Sequence, residues 1–283
     1  MTVLVPTSLA EALEAVSAHP DAAVLAGGTD LMVEVNERRR EVSDVVVVNR
    51  VPELRTWRHD PASATLFLGA GVTWTEVEAD PIAGWVPALA QAARTVGSPQ
   101  IRHAGTVGGN LGTCSPAGDG LPPLAALDAT VHLVSAGGTR DVPFAEFMTG
   151  PKRNVLLHGE LIAGVTLPVV SGWQGYTKVG VRNAMVIATA SVALVADDVA
   201  QSVRVALGSV GPVILRCPEA EEFAAGEVDF GQRRVADAAV AEFARLAAAA
   251  ARPIDDHRST AAYRRHAVGV LAARLLRRAF PNG

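Results

Sequence analysis

The sequence predicts an α+β fold in two domains, and three observations carry that expectation. The chain has 283 residues, and domains run to about 150 residues each, so two units are expected. Apolar runs of strand length alternate with short helical stretches over the first part of the chain, whereas helices gather at the C-terminus. Between the two regimes, Gly172-Trp173-Gln174-Gly175 has the composition of a seam. The expected division is therefore 1–170 and 171–283.

The elements follow in chain order. Ser8-Leu9-Ala10-Glu11 has the spacing of a capping box and opens an amphipathic helix to about Ala18. Ala22 to Ala26 is an apolar run stopped by Gly27-Gly28, as expected of a buried strand entering a turn. Leu31 to Arg40 has helical propensity without a clean apolar stripe. Val45 to Asn49 is a second strand, closed by Val51-Pro52. Thr65 to Ala70 reads as strand, Gly71 as turn, and Thr75 to Ala79 and Pro87 to Arg94 as helix. Gly105 to Gly120 is dense in Gly and Ser, and its second half is too polar and turn-rich to be core. Val131 to Ser135 and Leu161 to Leu167 read as strands. Beyond the seam, Val186 to Ala196 and Val203 to Leu207 are strands, and two helices run from about Arg233 to Ala250 and from Ser259 to Phe280.

Composition excludes several classes. Apolar residues make up 49% of the chain and charged residues 19%, so disorder is excluded and a packed core is expected. A bilayer span needs about 18 uninterrupted apolar residues. The best run, Ala238 to Ala250, is broken by Glu242 and Arg245. Met1 to Glu11 lacks the basic start of a secretory signal, so a cytoplasmic location is expected. The net charge of −4 argues against a nucleic-acid binder. That charge is uneven: Gly231 to Gly283 holds ten arginines against four acids, a balance of +6, which leaves −10 on the residues before it. Such a basic end is either a solvated helix face or a surface for an acidic partner. The two cysteines, Cys114 and Cys217, rule out a disulfide framework. They also rule out an internal iron–sulfur cluster, which takes about four thiolates. No two of the seven histidines stand three or four residues apart, so no helical metal site is expected.

The standard nucleotide motifs are absent. Gly69-Ala70-Gly71 begins like a dinucleotide fingerprint, but Trp74 occupies the third glycine position. The two lysines, Lys152 and Lys178, follow Pro151 and Thr177, so there is no Walker loop, and no Gly-x-Ser-x-Gly elbow occurs. A pair of glycine loops remains. Ala26-Gly27-Gly28-Thr29-Asp30-Leu31 stands at a strand end and opens a helix. Consecutive glycines there let backbone N–H groups converge on an anion, and a helix start adds partial positive charge. The Thr29 hydroxyl can donate to a phosphate, and Asp30 can cap the helix or accept from a ligand hydroxyl. Gly105-Thr106-Val107-Gly108-Gly109-Asn110 repeats that chemistry and continues into Thr113 to Asp119. One Gly-Gly turn is ordinarily only a turn. Two with the same polar companions suggest a single diphosphate ligand held from both sides.

Ala26 to Leu31, together with Gln100-Ile101-Arg102-His103-Ala104 and the Gly105 to Asn110 loop, resemble the two flavin-binding loops of molybdenum hydroxylase flavoproteins. These are the FAD subunits or domains of xanthine dehydrogenase, carbon monoxide dehydrogenase and aldehyde oxidase relatives. The resemblance continues through Gly150-Pro151-Lys152-Arg153-Asn154 and Gly159-Glu160-Leu161-Ile162, then Tyr176 to Met185, then Pro253-Ile254-Asp255-Asp256 and Tyr263-Arg264-Arg265-His266. It implies a two-part FAD-binding domain of the PCMH/vanillyl-alcohol-oxidase type, followed by a smaller domain of antiparallel sheet plus helices.

Carried over by position, it implies that Gly27, Gly28, Thr29, Asp30 and Leu31, with Ala26 beside them, hold the FAD pyrophosphate together with Thr106, Val107, Gly108, Gly109 and Asn110. Thr113 and Asp119 match residues at the ribityl–phosphate region, Ile162 a residue whose backbone lies near the isoalloxazine, and Lys178 a lysine that reaches the flavin. Ala104 departs from the arginine common in relatives, and Arg102 is expected to brace its loop. Cys114 is expected to be a small buried filler. No catalytic side chain and no metal ligand are implied. The function implied is electron transfer in a complex with a molybdopterin-binding large subunit and a 2Fe–2S small subunit, with NAD or another acceptor taking electrons from the FAD. Tyr176 to Met185 favours the xanthine dehydrogenase branch over a carbon monoxide dehydrogenase or aldehyde oxidase type. From other classes, a stand-alone flavin reductase and a non-catalytic nucleotide-binding module stay open.

Overall fold

Short apolar runs at the N-terminus form a parallel sheet. β1 (Thr2–Leu4) leads into α1 (Leu9–Ala18), β2 (Ala23–Leu25) into α2 (Leu31–Asn36), and β3 (Asp44–Val47) inserts between them, giving the order β1-β3-β2. This is seen in a computed structural model that describes residues 2–282. Parallel strands need crossovers, which α1 and α2 supply. Ser8 caps α1 by accepting from the Glu11 N–H, and Ala12 and Val16, one turn apart, face the core. The Glu11 carboxylate turns to the N–H and hydroxyl of Thr7, so only half of the expected capping box forms. α2 is shorter than the helical propensity of 31–40 suggested, and none of its residues is buried.

The middle of the chain is an antiparallel sheet roofed by helices. β4 (Trp57–Asp60) and β5 (Thr65–Gly69) pair first. Six short helices then precede the next strand: α3 (Trp74–Val77), α4 (Ile82–Trp85), α5 (Pro87–Thr95), α6 (Pro99–Ala104), α7 (Val107–Thr113) and α8 (Leu121–Ala126). β6 (Thr130–Ser135) and β7 (Gly138–Pro143) form a second hairpin. α9 (Phe144–Phe147) and the small hairpin β8 (Met148–Gly150) and β9 (Arg153–Asn154) follow. β10 (Leu161–Pro168) closes the sheet by running between β5 and β6, in the order β4-β5-β10-β6-β7, with a bulge between Ile162 and Gly164. Alternate residues Leu66, Leu68, Leu133, Val131, Val165 and Leu167 are fully buried, the period-2 signature of a sheet with one covered face.

The last part is the antiparallel sheet β11 (Gly172–Val179), β12 (Ala190–Asp197), β13 (Ser202–Gly208) and β14 (Leu215–Arg216), with α10 (Pro218–Glu227), α11 (Asp237–Ala250) and α12 (Ala261–Ala279). Every residue of β12 is buried. Ala193 and Val195 join the core of the first two parts, while Val192, Leu194 and Ala196 join a second core under α11 and α12. A strand covered on both faces reads as a continuous apolar run, which is why Val186 to Ala196 stood out in the sequence. The strand starts later than that run, because residues 180–188 form a loop in which Met185 takes a left-handed φ of 49°.

Two expectations change. The seam tetrapeptide at 172–175 is not irregular chain but the start of β11. Gly172 has φ +140°, and a side chain there would collide with the Ala196 carbonyl across the ladder. The glycine-dense 105–120 stretch contains a helix, α7, since Thr106 caps it and Val107 and Leu111 bury one face. Glycines masked its helical signal. The C-terminal basic excess is also partly spent inside the fold. Arg264 is buried against Thr189 O, Ser209 O and Asp256, and Arg233 pairs with Asp198. Among the described residues, no helix is long and apolar enough to cross a membrane.

Candidate functional site

A cleft of about 860 Å³ lies between the parallel N-terminal sheet and the roof helices of the middle sheet, with Met185 to Ile187 at its rim. Its walls bring together Ala26, Gly27, Gly28, Thr29, Asp30, Leu31, Thr106, Gly108, Gly109, Asn110, Thr113, Asp119 and Ile162. Val107 and Lys178 do not line it. Val107 is a core residue of α7, and Lys178 stands behind Asp119.

The first loop is built to receive an anion. After β2, Gly28 takes a φ of +71°, which favours glycine. The backbone N–H groups of Gly27, Gly28, Thr29, Asp30 and Leu31 donate to no acceptor among the described residues; the first one spent is that of Met32, on Gly28 O. Five adjacent unspent donors at a cleft wall suit a polyanion. With α2 only six residues long, these N–H groups rather than an extended helix dipole supply the attraction. Gly27 has a different duty: a side chain there would strike the Ala104 carbonyl, so its bareness lets the two loops meet. Asp30 does not cap α2. Its carboxylate accepts from the Thr113 hydroxyl at 3.2 Å across the cleft.

The second loop is not a copy of the first. Most of its N–H groups are consumed in fixing it: Val107 donates to Val72 O, Gly108 to Ala70 O, Gly109 to the Thr106 hydroxyl and Asn110 to Thr106 O, at 2.8–3.0 Å. Gly108 packs on Ala70, where a side chain would clash. What this wall offers is the single unspent N–H of Thr106 and the Asn110 amide oxygen, which is buried and accepts from no group in the protein. The two equivalent cradles expected from the sequence are thus one donor nest and one rigid wall.

Charge in the cleft is balanced. Asp119 and Lys178, each only 9% exposed, form an ion pair at 2.6 Å, and the Tyr176 hydroxyl donates to the other Asp119 oxygen at 2.9 Å. Burial pushes the Asp119 carboxyl up, and the Lys178 ammonium opposes it. Burial and the Asp119 charge push the Tyr176 phenol well up, keeping it a donor. Lys178 spends its remaining donors on Thr95 O and Val186 O, so its direct reach to a flavin, implied by the resemblance, would require giving one up. Glu160 is held by a bidentate Arg140, whose hydrogen bonds keep its carboxyl low. Glu34 is held by Lys152. Asp119, Glu160 and Glu34 thus each have a cationic partner, whereas Asp30 has only the neutral Thr113 hydroxyl.

Ile162 lies at the β10 bulge, facing Gly112, where the extra residue re-aims the strand toward the cleft. The sequence reading missed Trp74, Glu34 and Lys152. Trp74 is 2% exposed and forms part of the wall, its ring filling the space that a side chain on Gly120 would need. No local pattern marked them, because their partners lie far off in the chain. Cys114 is buried, and burial pushes its thiol up to about 11. Among the described residues, no group of three or more His, Cys, Asp or Glu is placed to hold a metal.

Comparisons with known proteins place the fold and the family. Residues 1–170 match a family model described as the FAD binding domain in molybdopterin dehydrogenase, and residues 176–279 one described as the CO dehydrogenase flavoprotein C-terminal domain. The nicotinate dehydrogenase FAD-subunit of Eubacterium barkeri is 35% identical over 78% of this chain and 78% of its own. The glyceraldehyde dehydrogenase medium chain of Sulfolobus acidocaldarius is 31% identical over 93% of this chain and 92% of its own. The structure of carbon monoxide dehydrogenase from Hydrogenophaga pseudoflava superposes with a TM-score of 0.91 at 28% identity, covering 99% of this chain and 97% of that one. The fold, the glycine loops and both domain matches lead to one assignment: the chain belongs to the FAD-binding medium subunits of the xanthine dehydrogenase/carbon monoxide dehydrogenase family of molybdenum hydroxylases.

Proposed function

We propose that this chain is the electron-exit subunit of a cytoplasmic molybdenum hydroxylase, most like xanthine dehydrogenase. In this reading a large subunit oxidises substrate at a molybdopterin cofactor. A 2Fe–2S small subunit delivers the electrons, and NAD or another acceptor removes them. The observation that carries the reading is the set of five unspent N–H groups from Gly27 to Leu31, set in the large cleft. They fit the pyrophosphate of FAD, and the orphaned Asn110 oxygen fits a hydroxyl or N–H of the same ligand. When bound, FAD supplies the step between one-electron carriers and a two-electron acceptor.

The chain's own residues do the rest. The nest from Gly27 to Leu31 holds the diphosphate, and the Thr106–Asn110 wall, braced on Ala70 and Val72, fixes the opposite side. Asp119 presents a hydrogen-bond acceptor to the cleft, and Lys178 and Tyr176 hold it in place. Ile162 shapes the apolar end. None of these groups moves a proton in this scheme; they bind and orient.

The test is reconstitution of the purified chain with FAD, followed by acid precipitation and assay with NADH and a dye. Non-covalent FAD should be released as a yellow supernatant, and NADH should reduce the dye through the bound flavin. A loaded chain inert to NADH would direct the exit reading to another acceptor. Substrate-dependent dye reduction by this chain alone would overturn the subunit reading.

A further inference from the structure

α2 runs along the mouth of the cleft with no buried apolar side chain to hold it down. α1 is fastened through buried Ala12 and Val16, whereas no residue of α2 is buried. Two polar bridges fasten it instead, one helical turn apart on the same face. Asp30 accepts from the Thr113 hydroxyl at the end of α7, and Glu34 pairs with Lys152 in the turn between β8 and β9. Both partners belong to the opposite wall, so both bridges span the opening. The Lys152 backbone is itself anchored, donating its N–H to Cys114 O at 3.1 Å, so its ammonium is presented from a fixed point. Arg40, just beyond α2, stands 3.8 Å from the other Glu34 oxygen and holds that carboxylate from its own side.

We propose that Glu34 and Lys152 form a clasp that keeps α2 closed over bound FAD and sets the rate at which FAD leaves; this rests on the reading that the cleft holds FAD. The N–H nest and α2 are continuous in the chain, so swinging α2 outward withdraws those donors from the ligand. Asp30–Thr113 is the inner fastening and Glu34–Lys152 the outer one. The outer pair is half exposed at Lys152, where the side chain is 54% accessible, so it can break and re-form without disturbing the core.

The experiment measures FAD release, from the rise in flavin fluorescence when the loaded full chain is diluted, for the wild type, K152M, E34Q and the double variant E34Q/K152M. An exposed ion pair is worth at most about 1 kcal/mol, so either single variant should release FAD up to about fivefold faster. The melting temperature of the FAD-free protein should stay within about 2 °C, since nothing buried is removed. The double variant should release FAD no faster than the faster single, because both substitutions break one bridge, and added salt should speed the wild type but not K152M. Unchanged release in both single variants, or a double variant whose effect is the product of the two single effects, would overturn the clasp. Failure of the wild-type chain to take up FAD at all would refute the cofactor reading, and the clasp with it.

Discussion

Replacing Lys178 by Met is the sharpest perturbation of the site. Lys178 makes three hydrogen bonds, to Asp119 at 2.6 Å, Thr95 O at 2.9 Å and Val186 O at 3.0 Å, from a position almost closed to water. The methionine fills similar volume but leaves the Asp119 carboxylate with only the Tyr176 hydroxyl. Removing one partner of a buried pair typically costs about 3–5 kcal/mol, because the other charge stays buried without its counter-charge. For a chain of 283 residues that is a fall of about 5–8 °C in melting temperature. The double variant K178M/D119N removes the stranded charge as well, and should be more stable than K178M alone.

The pH dependence has a definite sign. Burial already raises the Asp119 carboxyl, and losing Lys178 removes the influence that opposes the rise. A raised carboxyl favours the folded state at pH below its unfolded value, and that contribution is lost as pH rises through the folded value. The deficit of K178M should therefore be full at neutral pH and shrink as acid protonates Asp119. Thermal melts followed by circular dichroism between pH 4 and pH 8 (values chosen to bracket about the carboxylate range and neutrality) check this. A K178M deficit below about 1 kcal/mol, or a double variant no better than the single, would refute the buried-pair argument.

The glycines should separate by duty. Gly27→Ala places a methyl against the Ala104 carbonyl and should abolish FAD uptake by pushing the loops apart; Gly109→Ala meets only the Thr106 hydroxyl at 3.1 Å and should weaken uptake slightly. Equal losses in equilibrium dialysis would contradict that division. Burial pushes the Cys114 thiol up to about 11 and the Cys217 thiol, first through burial and then through the nearby Glu221 charge, up to about 12. Neither should react with a thiol-specific disulfide reagent at pH 8 until the chain unfolds, and two thiols should then appear. A thiol that titrates in the native protein would contradict the packing around it.

Much of this protein is local, and local physics is legible in a sequence. Ser8 and Glu11 marked the start of α1; the apolar runs in Thr65 to Ala70 and Leu161 to Leu167 marked strands; Gly27-Gly28 after an apolar run marked a turn able to expose N–H groups. Each signal is carried by residues within one or two turns of one another. The family resemblance added the order of the motifs and, with it, the cofactor class.

What the sequence alone did not contain is which donors remain unspent. Gly105 to Asn110 repeats the residue types of Ala26 to Leu31, yet most of its N–H groups are consumed by Ala70, Val72 and Thr106, and only the packing of α7 on the turn after β5 decides that. Lys178 reads as a cation free to meet a ligand until Asp119, Thr95 O and Val186 O are found around it, Thr95 brought there by the packing of β11 against α5. Gly172 to Gly175 has the composition of a seam between domains, and it is strand because β12 lies alongside, in a register that admits no side chain at Gly172. The bridge from Glu34 to Lys152 joins residues 118 positions apart. A local window records which groups a residue carries; whether each is satisfied depends on partners far away in the chain, and those are chosen by the packing of whole sheets and helices.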